Sequence, residues 1–335
     1  MTTLRKFLPV LAWLYFGVIC MITVLMYTMG DYWWPATLLL FGPRWALGIP
    51  MIFLVPAALF LNRRQLLPLG LALAVILGPL LGYNVPFGSA EASNGKVIRV
   101  LSCNTMLAHV DTDALAQIIR AYSVDVVALQ EVTSPIKLRL PGGWKRQQKG
   151  ELVTYSRYPM SPSETAKEYL SDDQWKRLPV LVSTLDTPYG KVSFNNVHLP
   201  SPRYGLLEAV TPKGIDPEKS GLLVTQTQGR LESSKRVLTV VNASPLPIIV
   251  AGDLNLPRES SVYRSLWHNF DSAFAKTTYG YGWTFQNTYR GIPIPLGLDH
   301  ILTRGGAVPL TFFVGPEISS DHRPIIADIE ITPSS

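Results

Sequence analysis

Five short polar clusters in the sequence contain residue types that could bind a metal ion or transfer a proton. Each follows a run rich in valine, isoleucine or leucine. The clusters are Ser102-Cys103-Asn104-Thr105, Gln130-Glu131, Asn196-Val197-His198, Gly252-Asp253-Leu254-Asn255 and Ser320-Asp321-His322-Arg323-Pro324. One such cluster alone is more often an ordinary turn or strand end. Because strand ends at one edge of an α/β sheet line one cleft, the five together predict a single site.

The side chains in and near these clusters favour a hard divalent cation. The candidate residues are Asn104, Glu131, Asp253, Asn255 and Asp321, with a further acid, Asp299, and two histidines, His198 and His322. Their carboxylate and amide oxygens, without a thiolate or histidine cluster, favour Mg²⁺ or Mn²⁺ over zinc. A metal ion, an acid that positions water and a histidine at a phosphoryl oxygen can together hydrolyse a phosphoester.

The region that carries these residues has a pattern of alternating strands and helices. A strand at 97–103, a helix at 113–122 and a strand at 125–129 are close enough to form a βαβ unit. A helix at 222–241 leads into a strand at 247–250. Further strands are predicted at 152–155, 179–185, 191–197, 299–302 and 323–329. The alternation predicts an α/β domain with mixed sheets rather than an all-β sandwich.

The N-terminal part, residues 1–87, predicts a membrane region with about three transmembrane helices. Residues 7–29 are 23 consecutive uncharged positions, which is enough to cross about 30 Å of hydrocarbon. Further apolar stretches run from 45 to 61 and from 66 to 85. A cleaved signal peptide fits less well, because the first stretch is too long and no small-residue cleavage site follows it. After a polar linker at 88–96, the catalytic domain is expected at 97–331.

Positive charges predict how this region is oriented in a bacterial inner membrane. Arg5 and Lys6 precede the first stretch, and Arg63 and Arg64 separate the second from the third. Such residues favour the cytoplasmic side. Three crossings would then place the catalytic domain outside the cytoplasm, whereas a re-entrant second stretch would place it inside.

The remainder of the chain is nearly neutral. Of 30 basic and 24 acidic residues in the whole chain, the first 90 positions hold five basic and one acidic. The strongly basic surface of a protein that grips long nucleic acid is therefore missing. Cys20 and Cys103 lie in apolar runs and are expected to be buried and unbridged.

In this order and spacing, the five clusters resemble the endonuclease/exonuclease/phosphatase superfamily of deoxyribonuclease I-like enzymes. Gly252-Asp253-x-Asn255 and the terminal Ser320-Asp321-His322 carry the resemblance, and minor signatures at 155–159, 282–284 and 298–301 support it. The resemblance implies a four-layer α/β sandwich, two packed mixed β-sheets flanked by helices, here preceded by N-terminal transmembrane helices.

The resemblance also implies metal ligands. Asn104, Glu131 and Asp321 would bind Mg²⁺, or Mn²⁺, with Glu131 as the principal ligand. Met106 stands where some members have an additional ligand, so we expect one tight metal site. Arg203, on a predicted loop at 200–221, could clamp a substrate phosphate, although a solvated arginine is the favoured interpretation.

Five further residues would act on the substrate. Asp253 would orient or deprotonate the attacking water, and Asn255 would hydrogen-bond the scissile phosphate. His322 would stabilise negative charge on a phosphate oxygen, with Asp299 fixing its tautomer and raising its pKa. His198 would lie near the leaving group. Candidates for an acid that supports it are Glu164, Glu168, Asp172 and Asp173.

We therefore expect a membrane-anchored, Mg²⁺-dependent hydrolase of a phosphodiester. A lipid head group or a small phosphorylated molecule is slightly favoured, because of the membrane region and the weak net charge. A nuclease that acts on nucleic acid and a phosphomonoesterase are alternatives, and a catalytically idle membrane scaffold is an alternative of another class. The expected partners are the phosphoester substrate and the lipid bilayer, and no protein partner is predicted.

Overall fold

The computed structural model describes residues 2–86, 96–136, 138–162, 178–211 and 214–332. The predicted linker at 88–96 lies outside these ranges except for its last residue. Within them, four N-terminal helices precede a domain of two β-sheets and five further helices.

Three apolar helical segments of the N-terminal region are long enough and apolar enough to cross a membrane, and they span Arg5–Met29, Arg44–Leu61 and Arg63–Leu80. The helices are α1 (Thr2–Met29), α2 (Trp34–Phe41), α3 (Met51–Leu61) and α4 (Leu66–Val75), which a π-helical turn, Ile76–Leu80, continues. The third segment was predicted to extend to Val85, but it leaves the helix after Leu80 because Gly82 has φ +80°, outside the right-handed helical region.

One face of α1 packs against the other helices. Its buried residues Leu8, Ala12, Ile19 and Met26 recur every four or seven positions, which places them on one side of a helix. They contact a matching face of α4 that includes Leu69. The opposite side of α1 exposes large apolar residues, as expected of a helix that faces lipid.

The second part of the chain contains two six-stranded mixed sheets. The first has the order β15-β16-β1-β2-β4-β3 and the second the order β11-β14-β10-β7-β6-β5. The strands of the first are β1 (Val97–Asn104), β2 (Val126–Gln130), β3 (Lys145–Lys149), β4 (Leu152–Ser156), β15 (Ala307–Val314) and β16 (Ile325–Ile331). The strands of the second are β5 (Met160–Pro162), β6 (Val180–Thr187), β7 (Gly190–His198), β10 (Ile248–Asp253), β11 (Asp271–Ser272) and β14 (Asp299–Arg304). Two small hairpins are formed by β8 (Val210–Thr211) with β9 (Gly214–Ile215), and by β12 (Phe285–Tyr289) with β13 (Ile292–Leu296).

The two sheets pack face to face, and helices cover their outer faces. Alternate residues of β1, β2, β10 and β16 fill the core between the sheets. The helices are α5 (Thr112–Ala121), α6 (Arg203–Ala209), α7 (Gly221–Asn242), α8 (Ser261–Leu266) and α9 (Ala273–Thr277). Helix α5 packs on the outer face of the first sheet, and α7 and α8 pack on that of the second. The predicted four-layer α/β sandwich and the parallel β1-α5-β2 unit are confirmed.

Several elements were not predicted, among them β15, the β12–β13 hairpin, β3 and α6. Strand β3 reads Lys-Arg-Gln-Gln-Lys and has no apolar periodicity. It is held by pairing with β4 and by side-chain hydrogen bonds that link Lys149 and Gln147 to residues 178–183. The segment at 200–221 was predicted as a loop, but it contains α6, whose Gly205 lies against α7. A Cβ at Gly205 would come within 2.5 Å of the Cα of Leu223, so tertiary packing rather than helix propensity holds this helix in place.

Buried ion pairs join the N-terminal helical region to the domain of two sheets. Asp31 and Arg230 have fully buried side chains, with 3.5 Å between carboxylate oxygen and guanidinium nitrogen. The hydroxyls of Ser260 and Ser261 donate to the same carboxylate at 2.7 and 2.8 Å. A second pair joins Arg44 to Glu259 at 3.1 Å. Removing one partner of such a pair typically costs about 3–5 kcal/mol, so the two parts form a firm junction.

Candidate active site

Strand register brings the predicted residues to one edge of the sandwich. β1 runs parallel to β2 with Asn104 opposite Gln130, and β7 runs parallel to β10 with His198 opposite Asp253. β14 runs antiparallel to β10 and pairs Asp299 with Asp253. Asn104, His198, Asp253 and Asp299 have the same strand parity as residues of the inter-sheet core, so they lie on its polar rim.

Asp253 is a buried carboxylate at this rim, with 1% exposure. It accepts hydrogen bonds from the backbone N–H of Asn255 at 2.8 Å and from the Asn104 side-chain amide at 3.0 Å. Burial raises the pKa of Asp253, and the nearby Asp299 carboxylate raises it further, while His322 and His198 oppose the shift. A carboxylate with a raised pKa is a better proton acceptor than a solvated aspartate.

His322 is linked to Asp299 in a buried chain of hydrogen bonds. Its Nδ1 lies 2.8 Å from Asp299, and the hydroxyl of Thr284 donates to the same carboxylate oxygen at 2.6 Å. The other nitrogen, Nε2, lies 3.7 Å from the Asp253 carboxylate. Burial alone would lower the pKa of His322, but the carboxylates of Asp299, Asp253 and Asp321 outweigh it and raise the pKa to about 10. His322 is therefore a cation at neutral pH.

Glu131 and Asp321 form the open side of the rim, with side-chain exposures of 25% and 13%. Glu131 has φ +56°, a conformation that costs a non-glycine residue energy and is concentrated at functional sites. Burial raises the pKa of Asp321, and repulsion from the Glu131 carboxylate raises it further, although His322 and Arg203 oppose the shift. The Arg203 guanidinium lies 4.0 Å from Asp321.

Asn104 turns its amide nitrogen, not its oxygen, toward the carboxylates. Nδ2 donates to Glu131 at 3.1 Å and to Asp253 at 3.0 Å, and Oδ1 accepts from the backbone N–H of Met106. A direct bond from the Asn104 oxygen to a metal would require the amide to turn over and lose the bond to Met106. As the side chain stands, it holds Glu131 and Asp253 at a fixed separation.

Asn255 and His198 complete the set. The Asn255 side-chain amide donates to the Leu199 carbonyl at 2.8 Å and to Asp253 at 3.3 Å, and the longer bond is the one that a phosphate oxygen could replace. His198 Nε2 lies 3.6 Å from Glu131 and 3.8 Å from Asp253, and it is buried with no hydrogen-bond partner within the described residues. The candidate acids Glu164, Glu168, Asp172 and Asp173 lie outside those residues.

Four other residues contribute to the site, although the sequence analysis assigned no role to them. Thr284, in one of the minor signatures, bonds Asp299. Gln130 donates to the Asn196 side-chain oxygen at 2.7 Å, and the Asn196 amide donates to carbonyls of β2 and β4. This buried network ties the two sheets together directly beneath Glu131 and His198. Phe285 packs edge to face on His322, with 5.0 Å between the ring centres.

Gly252 permits the close approach that places Asp253. A Cβ at this position would come within 1.9 Å of the Val197 carbonyl oxygen, which belongs to the paired strand β7. Gly252→Ala should therefore destabilise the domain by at least about 3 kcal/mol, because backbone has to move. Thermal unfolding in detergent should show a fall in Tm of roughly 5–10 °C.

Gly229→Ala is the matched control for this prediction. A Cβ at Gly229, within α7, meets no atom within 4 Å, and alanine favours a helix over glycine by about 1 kcal/mol. An unchanged Tm in Gly252→Ala would mean that β7 and β10 do not approach as closely as described.

The donors present fit a hard divalent cation at Glu131 and Asp321. Ligand-type atoms of Asp253, Asp299 and His322 lie within 4.8 Å of one another, but Asp299 and His322 bond each other and would have to separate to bind an ion. Glu131 and Asp321 instead pair two part-exposed carboxylates whose repulsion a cation would relieve. Oxygen ligands with access to water suit Mg²⁺, which retains several of its waters.

Comparisons with known proteins agree with this fold. The model of one family, described as the Endonuclease/Exonuclease/phosphatase family, matches residues 83–322. A protein of that family from Bacteroides thetaiotaomicron has a similar structure, with a TM-score of 0.50 and 17% identity over 71% of this chain and 98% of its own. D. rerio TDP2, humanized by 14 mutations, is similar with a TM-score of 0.50 and 16% identity over 70% of this chain and 99% of its own. At these identities the two structures indicate the fold. No match was found among curated proteins.

Proposed function

Since the chain belongs to the endonuclease/exonuclease/phosphatase family, whose named activities all cleave phosphoester bonds, we propose that it is a membrane-anchored, metal-dependent hydrolase of a phosphodiester in a lipid head group. The substrate class rests on one observation, the position of the site beside the membrane helices. Membership of the family alone is equally compatible with a nucleic-acid substrate.

Contacts along one hairpin connect the site to the membrane helices. Phe285, which packs on His322, also borders the apolar cluster of α1, α3 and α4, together with Ile294 and Leu206. Trp45, at the start of the second apolar segment, donates its indole N–H to the Pro293 carbonyl at 2.9 Å. Tryptophan favours the head-group layer of a bilayer, so this contact supports a site close to that layer.

In the proposed mechanism, Glu131 and Asp321 would hold Mg²⁺, or Mn²⁺, and Asn104 keeps Glu131 and Asp253 apart. The metal would supply a Lewis acid that polarises the phosphoryl oxygen. The Asp253 carboxylate accepts a proton from the attacking water. Cationic His322 donates a hydrogen bond from Nε2 to a non-bridging phosphate oxygen, where negative charge develops.

Two residues bind and orient the substrate in this proposal. The Asn255 amide exchanges its 3.3 Å bond to Asp253 for a phosphate oxygen. His198, whose Nε2 has no bond among the described residues, is placed to protonate or hydrogen-bond the leaving oxygen. Each of the matched positions carries a residue that can act, which argues against a catalytically idle scaffold.

The arrangement of charges supports the predicted orientation in the membrane. Asp31, Arg44 and Asn84, which contact the catalytic domain, lie at the helix ends opposite Arg5, Lys6, Arg63 and Arg64. A cytoplasmic location for those four basic residues places the domain outside the cytoplasm. A fluorescent protein that matures only in the cytoplasm, fused to the C-terminus, should stay dark, and a bright fusion would contradict this orientation.

A direct comparison of substrates tests the proposed function. The full chain in detergent, with Mg²⁺, is incubated with head-group-labelled phospholipid vesicles and separately with supercoiled plasmid. Release of the labelled head group, absent in Asp253→Ala, is the expected result. Nicked plasmid with intact lipid would assign the enzyme to nucleic acid instead.

Glu131→Gln should separate metal binding from folding. The amide preserves shape but removes the negative charge, so we expect Mg²⁺ to bind at least about tenfold more weakly and activity to fall by about 10²-fold or more, with Tm within a few degrees of the parent in EDTA. Titration of Mn²⁺ followed by electron paramagnetic resonance measures the affinity directly. Glu232→Gln, on an exposed ion pair with Lys235, is the control. Equal Mn²⁺ affinity in the two variants would show that Glu131 is not a metal ligand.

A further inference from the structure

Helix α6 lies between the active site and the membrane helices and belongs fully to neither. Arg203, at its start, faces Asp321 at 4.0 Å. Leu206, one turn later, packs against the apolar cluster of α1, α3 and α4. A helix of seven residues is about 10 Å long, so α6 bridges the rim of the site and the membrane region within that distance.

The inner face of α6 is fixed, and its outer face exposes two large, mainly apolar side chains between the charged residues Arg203 and Glu208. Gly205 and Ala209 are buried, and the Gly205 N–H donates to Gln226 at 2.8 Å. On the other side, Tyr204 is 71% and Leu207 is 47% exposed. These two large side chains therefore remain exposed on a short helix whose opposite face is fixed in position.

The neighbouring hairpin of β12 and β13 connects α6 to Trp45, which indicates how close α6 lies to the head-group layer. Tyr289 of β12 donates its hydroxyl to the Val210 carbonyl directly after α6, at 3.1 Å. The facing strand β13 carries Pro293, which accepts from Trp45. In the hairpin, Pro293 pairs with Thr288, three residues, or about 10 Å, from Phe285 at the site. The hairpin thus connects α6 to an indole that marks the head-group layer.

We propose that α6 is a membrane-docking element, whose Tyr204 and Leu207 enter the head-group layer beside the spanning helices and hold the mouth of the active site against the bilayer. The occupant of this face is lipid, because the exposed side chains continue the apolar surface that Leu206 shares with α1, α3 and α4. Tyrosine suits this place, since its ring is apolar and its hydroxyl remains hydrated.

The functional role of this docking element rests on the proposed function. Its test does not require that the enzyme turn over substrate. Tyr204→Cys is made in a Cys20→Ala background and labelled with an environment-sensitive fluorophore. Cys103 is fully buried and should not react. The labelled full chain is reconstituted into vesicles of phosphatidylcholine and phosphatidylglycerol, with or without lipid carrying a nitroxide near the head group. Val308→Cys is the control. Val308 is 39% exposed on the edge strand β15, at the end of the first sheet away from Asn104.

We expect the probe at 204 to emit at shorter wavelength and to lose at least about half of its intensity to the nitroxide lipid, while the probe at 308 is unaffected. Leu207→Cys is a second reporter, which replaces Tyr204→Cys if that variant does not fold. Equal quenching at 204, 207 and 308 would overturn the proposal. So would a blue-shifted probe that nitroxide lipid does not quench, because it would indicate a protein neighbour. Quenching in a chain that cleaves no lipid would refute the proposed function but leave the docking element in place.

Discussion

Asp253→Ala should lower kcat by about three to five orders of magnitude while the chain remains folded. In the proposed mechanism this buried carboxylate accepts the proton of the attacking water, and loss of a principal catalytic group has effects of this size. KM should change little, because in the proposed mechanism Asp253 acts on the water rather than on the substrate. Steady-state release of labelled head group, with Tm measured on the same sample, tests both expectations.

Two further variants make this result specific. Asp253→Asn keeps the shape and the acceptor oxygen but cannot take a proton, so it should lose nearly as much activity as Asp253→Ala. Asp271→Asn removes a carboxylate of the same sheet that pairs with Lys276 at the surface, and it should remain within a factor of about two of the parent. If Asp253→Ala retained activity within a few-fold of the parent, the hydrolytic mechanism proposed above would be wrong.

The raised pKa of Asp253 also predicts the acid side of the pH profile. Asp253 is active when deprotonated, so activity should rise with pH as this group loses its proton. Because burial raises the pKa, the midpoint should lie above 3.8, the value of an ordinary aspartate. Asp253→Asn should abolish this dependence in the residual rate.

Asp299→Asn should move the alkaline limit of activity to lower pH. His322 acts as a cation, and its pKa of about 10 depends on the carboxylates of Asp299, Asp253 and Asp321 acting against burial. The parent should therefore remain active up to about pH 10 and lose activity above it. Replacing the Asp299 carboxylate by an amide removes the largest of the favourable charges, and the descending limb should shift down with a loss of about 10²–10³-fold at pH 8.

His322 also links pH to the stability of the folded protein. His322 has a higher pKa in the folded protein than the ordinary value of 6.5, so the stability it adds is fully present below about pH 6.5 and is lost as pH rises through about 10. Tm measured from pH 6 to pH 10.5 should fall more steeply in the parent than in Asp299→Asn. An unshifted alkaline limb in Asp299→Asn would show that another group controls the charge of His322.

The sequence predicted which of these residues lie together better than it predicted their contacts. The clusters at Asn104, Glu131, His198 and Asp253 could be grouped because the ends of parallel strands meet at one edge of a sheet, and the register of β1 with β2 and of β7 with β10 brings them to one edge of the sandwich. The direction of the Asn104 amide could not be predicted, since it depends on a backbone N–H two residues later in a turn with positive φ.

Long-range partners left little trace in the sequence. Asp31 is a lone acid in an apolar region, and nothing near it indicates that its partner, Arg230, lies 199 positions later. Strand β3 has no apolar alternation, and α6 depends on a glycine that fits against α7. In each case tertiary packing determines the structure, and local pattern cannot report it.

The buried pairs Asp31–Arg230 and Arg44–Glu259 have a kinetic consequence for an enzyme that acts on lipid. Under the proposed function, a catalytic domain held by these pairs to its own membrane helices can attack only molecules that diffuse laterally into the bilayer next to those helices. Its rate should then depend on the mole fraction of substrate in the bilayer leaflet and not on the bulk lipid concentration of the sample. Diluting the substrate with inert phospholipid at constant total substrate should slow the enzyme, whereas diluting the vesicles with buffer should not.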